Sequence, residues 1–192
     1  DNRNKFENEI VLGEFAAFVS AGDNIFSRCD NILKRDRVAN IPKVLVATRW
    51  DGTLGFIGGK TEQNTKLKNM VGNTIKNEFL EEMYCDLNVG SFLRDTYLIY
   101  DSNVGGYYVL HILDCDESYM NALISRHIEG DSKKGASKEI VGLSKFNLID
   151  WNKRSVFHVD GIPQIVTNGC PGFSTSMLCV IQNYWDNAGD NN

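Results

Sequence analysis

Asp51-Gly52 narrows the fold of this chain more than any other pair of residues. It separates Val44-Leu45-Val46-Ala47, a β-branched apolar run opened by Pro42, from Leu54–Ile57, which ends at Gly58-Gly59. Such runs read as buried strands. Asp-Gly between them is a strong signal for a two-residue type I′ turn, because both of its central positions need positive φ. The expectation is therefore an antiparallel hairpin over Ile41–Ile57, and with it a sheet. Phe92–Tyr100 and Tyr107–Leu113 read as a second strand pair around Asp101–Gly106, and Glu139–Leu148 as a further strand. Helical spacing of Met70, Val71, Ile75, Phe79, Leu80 and Met83 predicts a helix from about Met70 to Tyr84. Glu117–His127 and Gly172–Trp185 read as two more helices, with a loop at Gly130–Ser137. Val11, Phe15, Phe18 and Val19 fit a helical stripe that breaks at Ser20–Asn24. Strands and helices in this order indicate an α+β or α/β chain.

The chain has 192 residues, 42% of them hydrophobic, with 20 Lys and Arg against 25 Asp and Glu for a net charge of −5. That apolar content and small charge exclude bulk disorder, and the length suits one domain. The expected division is an N-terminal extension packed on or flanking the domain over 1–37, a domain over 38–188 and a frayed tail over 189–192. No apolar run approaches the ~20 residues of a membrane span, and no segment has the pattern of a secretory signal. Five cysteines with no Cys-x-x-Cys pairing point to a reducing, intracellular setting, cytoplasmic or nuclear. Three histidines without i, i+4 spacing leave any metal chemistry to carboxylates. The acidic balance argues against sequence-independent coating of nucleic acid, but not against binding one nucleotide or one RNA end.

Glu78, Glu81 and Glu82 are the residues with the most chemical content. At i, i+3 and i+4 a helix stacks all three carboxylates along one face. Like charges so placed repel, and a hard divalent cation such as Mg2+ or Mn2+, which takes oxygen ligands, would relieve that repulsion. Alone, the triplet also reads as a solvated acidic face, and Gly58-Gly59 alone as a tight turn. Strand, glycine pair, loop and triple-glutamate helix together form a more specific pattern.

Leu54-Gly55-Phe56-Ile57-Gly58-Gly59-Lys60 followed by Glu78-x-x-Glu81-Glu82 resembles the Nudix box, Gly-x5-Glu-x7-Arg-Glu-U-x-Glu-Glu-x-Gly-U with U aliphatic. The longer stretch from Ile41-Pro42 through Arg49-Trp50-Asp51-Gly52 to Gly59 is similar to the small-nucleolar-RNA-decapping, inosine-diphosphate-cleaving branch of the Nudix hydrolases. The resemblance extends over most of residues 40–185. It implies a Nudix-type α/β/α sandwich with a mixed β-sheet, and a pyrophosphohydrolase that uses Mg2+ or Mn2+. The implied linkage is a nucleoside diphosphate in an RNA 5′ cap (decapping) or in inosine or guanosine nucleotides. ADP-ribose-type compounds are a further substrate class. Implied metal ligands are Glu78, Glu81, Glu82 and the Gly58 carbonyl, with Glu139 as an additional acidic ligand or base, or else a surface residue at a loop end. Implied partners are a nucleotide or capped RNA, with no membrane, and a homodimer is left open.

The chain departs from the pattern in four places. Asn77 stands where the box has Arg, Tyr84 where it has Gly, and the Gly59-to-Glu78 interval is four residues longer. The first box glutamate has no counterpart, Glu62 being nearest. These departures keep a second reading open, a catalytically impaired nucleotide- or RNA-binding module. No histidine precedes His111, although the branch carries one in its N-terminal segment. Lys60 could meet phosphate as a point charge or be solvated. Phe56, Trp50, Tyr107 and Tyr108 could stack on a base or pack in the core. Gly59 would let substrate approach, and Asn168 resembles a base-pocket position but suits a turn equally well. Asp131 is a weaker acidic candidate. Cys85 reads as a small core residue rather than a nucleophile.

Overall fold

Val11–Ser20 is a strand (β1), not the helix its apolar spacing suggests. Nearly every residue from Val11 to Val19 is apolar, so both faces can be buried, and a helical stripe and a doubly buried strand then look alike in sequence. The computed structural model describes residues 6–21, 42–69, 73–134, 139–148 and 172–188. Within them follow β2 (Lys43–Arg49), β3 (Leu54–Gly55), β4 (Ile57–Lys60), a 3-10 turn over Leu67–Asn69, α1 (Asn73–Met83), α2 (Val89–Phe92), β5 (Leu93–Asp101), β6 (Gly106–Asp114), α3 (Glu117–Lys134), β7 (Ile140–Asn147) and α4 (Phe173–Ala188).

These strands make one mixed sheet in the order β3-β2-β1-β6-β5, with β4 also paired to β1 and β7 to β2. β1 and β6 run parallel, in register from Phe15↔Leu110 to Val19↔Asp114. The other pairings are antiparallel. β1, from the 1–37 segment expected to pack on or flank the domain, thus lies inside the sheet.

Alternation along the strands divides the core in two. Ala16, Phe18, Leu45, Ala47, Ile57 and Leu113 meet Ile75, Phe79 and Met83 of α1 and Met120 and Leu123 of α3. Ala17, Val19, Val44, Val46, Leu110 and Ile112 meet Phe173, Met177, Val180 and Ile181 of α4. The result is the α/β/α sandwich with a mixed sheet. Leu80, expected on the apolar side of α1, is instead exposed. α3 continues through the expected Gly130–Ser137 loop as far as Lys134.

The first hairpin forms, but not through a two-residue type I′ turn. Arg49 O accepts from Gly52 N–H at 2.9 Å and Arg49 N–H donates to Thr53 O at 2.8 Å. Gly52 carries the only positive φ of the turn, +81°, and Asp51 has none. That is a three-residue loop in which glycine alone takes the left-handed position. Asp51 Oδ1 closes it by accepting from the Thr53 N–H and hydroxyl.

Among the described residues, no helix is long and apolar enough to cross a membrane.

Candidate functional site

Gly58 and Gly59 lie inside β4 and are held to β1 by the register Phe15↔Gly58 and Glu14↔Gly59. Backbone bars a side chain at Gly58, and one at Gly59 would displace the Glu78 carboxylate. Gly58 has φ +143°, and a Cβ there would sit 2.2 Å from the Glu14 carbonyl oxygen. At Gly59 a Cβ would sit 2.1 Å from Glu78 Oε1, so the bare backbone makes room for a carboxylate of α1.

Phe79 and Met83 are buried against the sheet, which turns Glu78 and Glu82 toward the glycines. Burial pushes the Glu82 carboxyl up to about 8; the negative charges of Glu78 and Glu139 add to this, while the Gly58 N–H bond and Arg49 oppose it. Glu78 is raised as well, first by burial, then by Glu81 and Glu139, again against Arg49. Glu82 Oε2 is buried with no hydrogen-bond partner among the described residues, an arrangement that is costly for a charged oxygen.

Glu139 enters from the start of β7. Its carboxylate pairs with the Arg49 guanidinium at 2.9 Å, and its carbonyl accepts the Trp50 N–H at 2.9 Å. The fold thus brings Gly58, Gly59, Glu78, Glu82 and Glu139 together. Glu81 is exposed at the rim and acts on Glu78 through charge. Arg49, which sequence reasoning gave no role, is the cation acting on both Glu78 and Glu82. It comes from β2, whereas Asn77, at the position where the resemblance expects Arg, is exposed.

Tyr84 explains the second departure. It takes φ +56° just past the end of α1, and its N–H donates to Leu80 O at 3.1 Å. Glycine favours this left-handed position. Here the Tyr84 ring lies against α3 so closely that a Cβ on Gly130 would come within 1.9 Å of it. His127 of α3 also ties the helices, its Nδ1 lying 3.1 Å from Glu82 O.

Other candidates lie elsewhere. Phe56 is 4% exposed and packs on Phe173 beneath α4, on the opposite face of the sheet from Glu78. Tyr107 packs on Phe6 and Tyr100, and Tyr108 on Phe15. Lys60 is exposed at the end of β4, and alternation places it across the strand from Gly59. Trp50 is 71% exposed at the hairpin tip, next to Arg49. Asn168 and the Asp131 side chain lie outside the described residues. Cys85, Cys115 and Cys179 are free thiols, and burial pushes Cys115 up to about 12, with Asp116 and Asp114 adding to it. A thiol so shifted is no nucleophile.

Among the described residues, no three acidic, histidine or cysteine side chains converge tightly enough to hold an ion as they stand. The site nevertheless fits a hard cation in its chemistry. Its donors are carboxylate oxygens, one of them buried without a hydrogen-bond partner among the described residues, and Gly59 sets bare backbone against the Glu78 carboxylate.

No family model matches the chain, and no curated protein does. Several solved structures are similar to it. The Nudix domain of NrtR from Shewanella oneidensis, complexed with ADP ribose, is 11% identical, with 98% of this chain and 94% of that one covered at a TM-score of 0.45. A Nudix hydrolase from Nitrosomonas europaea is 12% identical, covering 91% and 90% at 0.41. The C-terminal domain of mouse MUTYH, in complex with human PCNA, is 13% identical, covering 94% and 90% at 0.45. At these identities and TM-scores the likeness assigns neither an activity nor a substrate to this chain.

Proposed function

We propose that this chain is a Nudix-type pyrophosphohydrolase dependent on Mg2+ or Mn2+, acting on a nucleoside diphosphate linkage in an RNA 5′ cap or in an inosine or guanosine nucleotide. The observation that supports it most is Glu82, a buried carboxyl with an unpartnered oxygen, set between Glu78, Glu139 and the Gly58 amide. In this reading Glu78, Glu82 and Glu139 hold the cation, with Glu81 at the rim. A divalent cation there supplies positive charge that offsets the negative charge of a bound diphosphate.

The remaining work belongs to the side chains. A cluster of carboxylates lets one of them take the proton of the attacking water, because neighbouring negative charge favours proton uptake. Arg49 holds Glu139 in place and moderates the repulsion among the glutamates. Gly59 leaves the space that Glu78 fills. The exposed Trp50 indole offers a flat surface to a base. Asn168 supplies a paired donor and acceptor for a purine edge.

The test is release of phosphate and inosine monophosphate from inosine diphosphate, and of nucleoside diphosphate from capped RNA, with Mg2+ or Mn2+. Glu82→Gln is expected to lower turnover by about 10²–10⁴-fold while leaving the far-UV circular dichroism unchanged. Nucleotide binding without turnover would identify a non-catalytic binding module. Absence of both binding and turnover would overturn the proposal.

A further inference from the structure

Glu14 is a lone carboxylate in the apolar strand β1, and it is 0% exposed. Its Oε2 accepts the Ile75 N–H at 3.0 Å. Ile75 lies in the first turn of α1, where backbone N–H groups have no partner within the helix. Glu14 Oε1 lies 2.6 Å from His111 Nε2, and His111 Nδ1 lies 3.0 Å from Thr96 Oγ1. Nε2–H donates to the carboxylate, and Nδ1 and the Thr96 hydroxyl share the second bond. One buried carboxylate therefore links three strands, β1, β6 and β5, to the start of α1. The backbone of the same residue abuts the glycine pair, since Glu14 is in register with Gly59 and its carbonyl fills the space beside Gly58.

We propose that Glu14, braced by His111 and Thr96, is a positioning residue that clamps the first turn of α1 to the sheet and thereby holds Glu78 and Glu82 over Gly58-Gly59. Ile75 precedes Glu78 by three residues, so an anchor at its amide fixes the rotation and height of the turn that carries the first site carboxylate. A carboxylate at this end of a helix is also favoured by the helix dipole. The clamp goes beyond the proposed hydrolase, although its benefit to cation binding rests on that reading.

The experiment compares Glu14→Ala, Glu14→Gln and His111→Ala by amide hydrogen exchange at Ile75 and by Mn2+ binding to the cation-free protein. Glutamine keeps an oxygen for the Ile75 amide and a donor for a rotated His111 tautomer. Glu14→Ala is expected to speed Ile75 exchange and weaken Mn2+ binding, each by about tenfold, while Glu14→Gln stays within about twofold of the parent. A purely structural role would lower the unfolding midpoint and leave Mn2+ affinity unmoved, and that result overturns the proposal. Equal losses in Glu14→Gln and Glu14→Ala also overturn it, because charge rather than attachment would then be responsible. If Glu14→Ala does not fold, His111→Ala carries the comparison, and unchanged Ile75 exchange in it counts against the clamp. Failure of the parent to bind Mn2+ removes the hydrolase reading, and the exchange measurement still decides the clamp.

Discussion

The two faces of the sheet are built from different materials. Beneath α4 the contacts are mostly apolar, led by Phe56 on Phe173 with ring centroids 5.1 Å apart, although the buried Asn183 of α4 donates to Asp95 Oδ2 and Tyr97 Oη. Beneath α1 and α3 there is an apolar centre too, with Phe18 on Phe79 at 5.6 Å, but Glu14, His127 and most of Glu82 are buried around it. Burying carboxylates costs stability unless each finds a partner. Glu14 finds two, whereas Glu82 keeps one oxygen without any. One face therefore serves cohesion, and the other gives up some cohesion to keep acidic groups in place.

Truncating either face's aromatic anchor tests this contrast most severely. Phe173→Ala and Phe79→Ala are each expected to cost about 3–5 kcal/mol in denaturant unfolding. Only Phe79→Ala should also change the titration of Glu78 and Glu82, because it lies on their helix. An equal effect of both on those titrations would erase the distinction between the faces.

The second test is pH. The folded Glu82 carboxyl titrates near 8, against an ordinary value of 4.5. Between those values the native state holds a proton that the unfolded chain has released. Stability of the cation-free protein should therefore be fullest below about pH 4.5, so far as this group is concerned, and should fall as pH rises toward 8. The fall is on the order of a few kcal/mol. Glu78, also raised, acts in the same direction. Glu82→Gln should flatten the profile, and a profile equally steep in that variant would refute the assignment.

Gly130→Ala comes next. The added methyl would overlap the Tyr84 ring and should cost about 1–3 kcal/mol, read as a lower thermal midpoint. The smallest effect is expected from Arg49→Met. The Glu139 side chain is 64% exposed, so stability should change by no more than about 1 kcal/mol. The Glu78 and Glu82 titrations should nevertheless move upward, because Arg49 lowers both.

Locally encoded features of this chain were readable before any coordinates. The β5–β6 pair, β7 and the core of α1 follow from spacing and turn residues, and the approach of the glycine pair to Glu78 and Glu82 follows from the resemblance to the Nudix box. Features that depend on distant partners were not. β1 looks helical because a strand buried on both faces has no polar alternate residues to reveal its period. Glu14 could have been noticed as the single charge in the run Val11–Val19, but its partners, His111 and Ile75, become visible only in three dimensions. Arg49 was hidden for a related reason: the pattern directs attention to position 77, whereas the guanidinium reaches the glutamates from a strand. The turn at Asp51-Gly52 shows a subtler limit, since both loop types use the same glycine and differ only in how many residues precede it.

β1 pairs in parallel with β6, and Glu14 and His111 meet across 97 positions of chain. During synthesis at about 5–20 residues per second, the earliest described strand waits roughly 5–20 s for its lateral neighbour to emerge. For that interval β1 can pair with β4 and β2 along one edge only, and the edge that β6 will cover stays open. Nascent chains are thus at greatest risk of aggregation over Val11–Ser20, and refolding should be limited by closure of this distant pair rather than by the local hairpins.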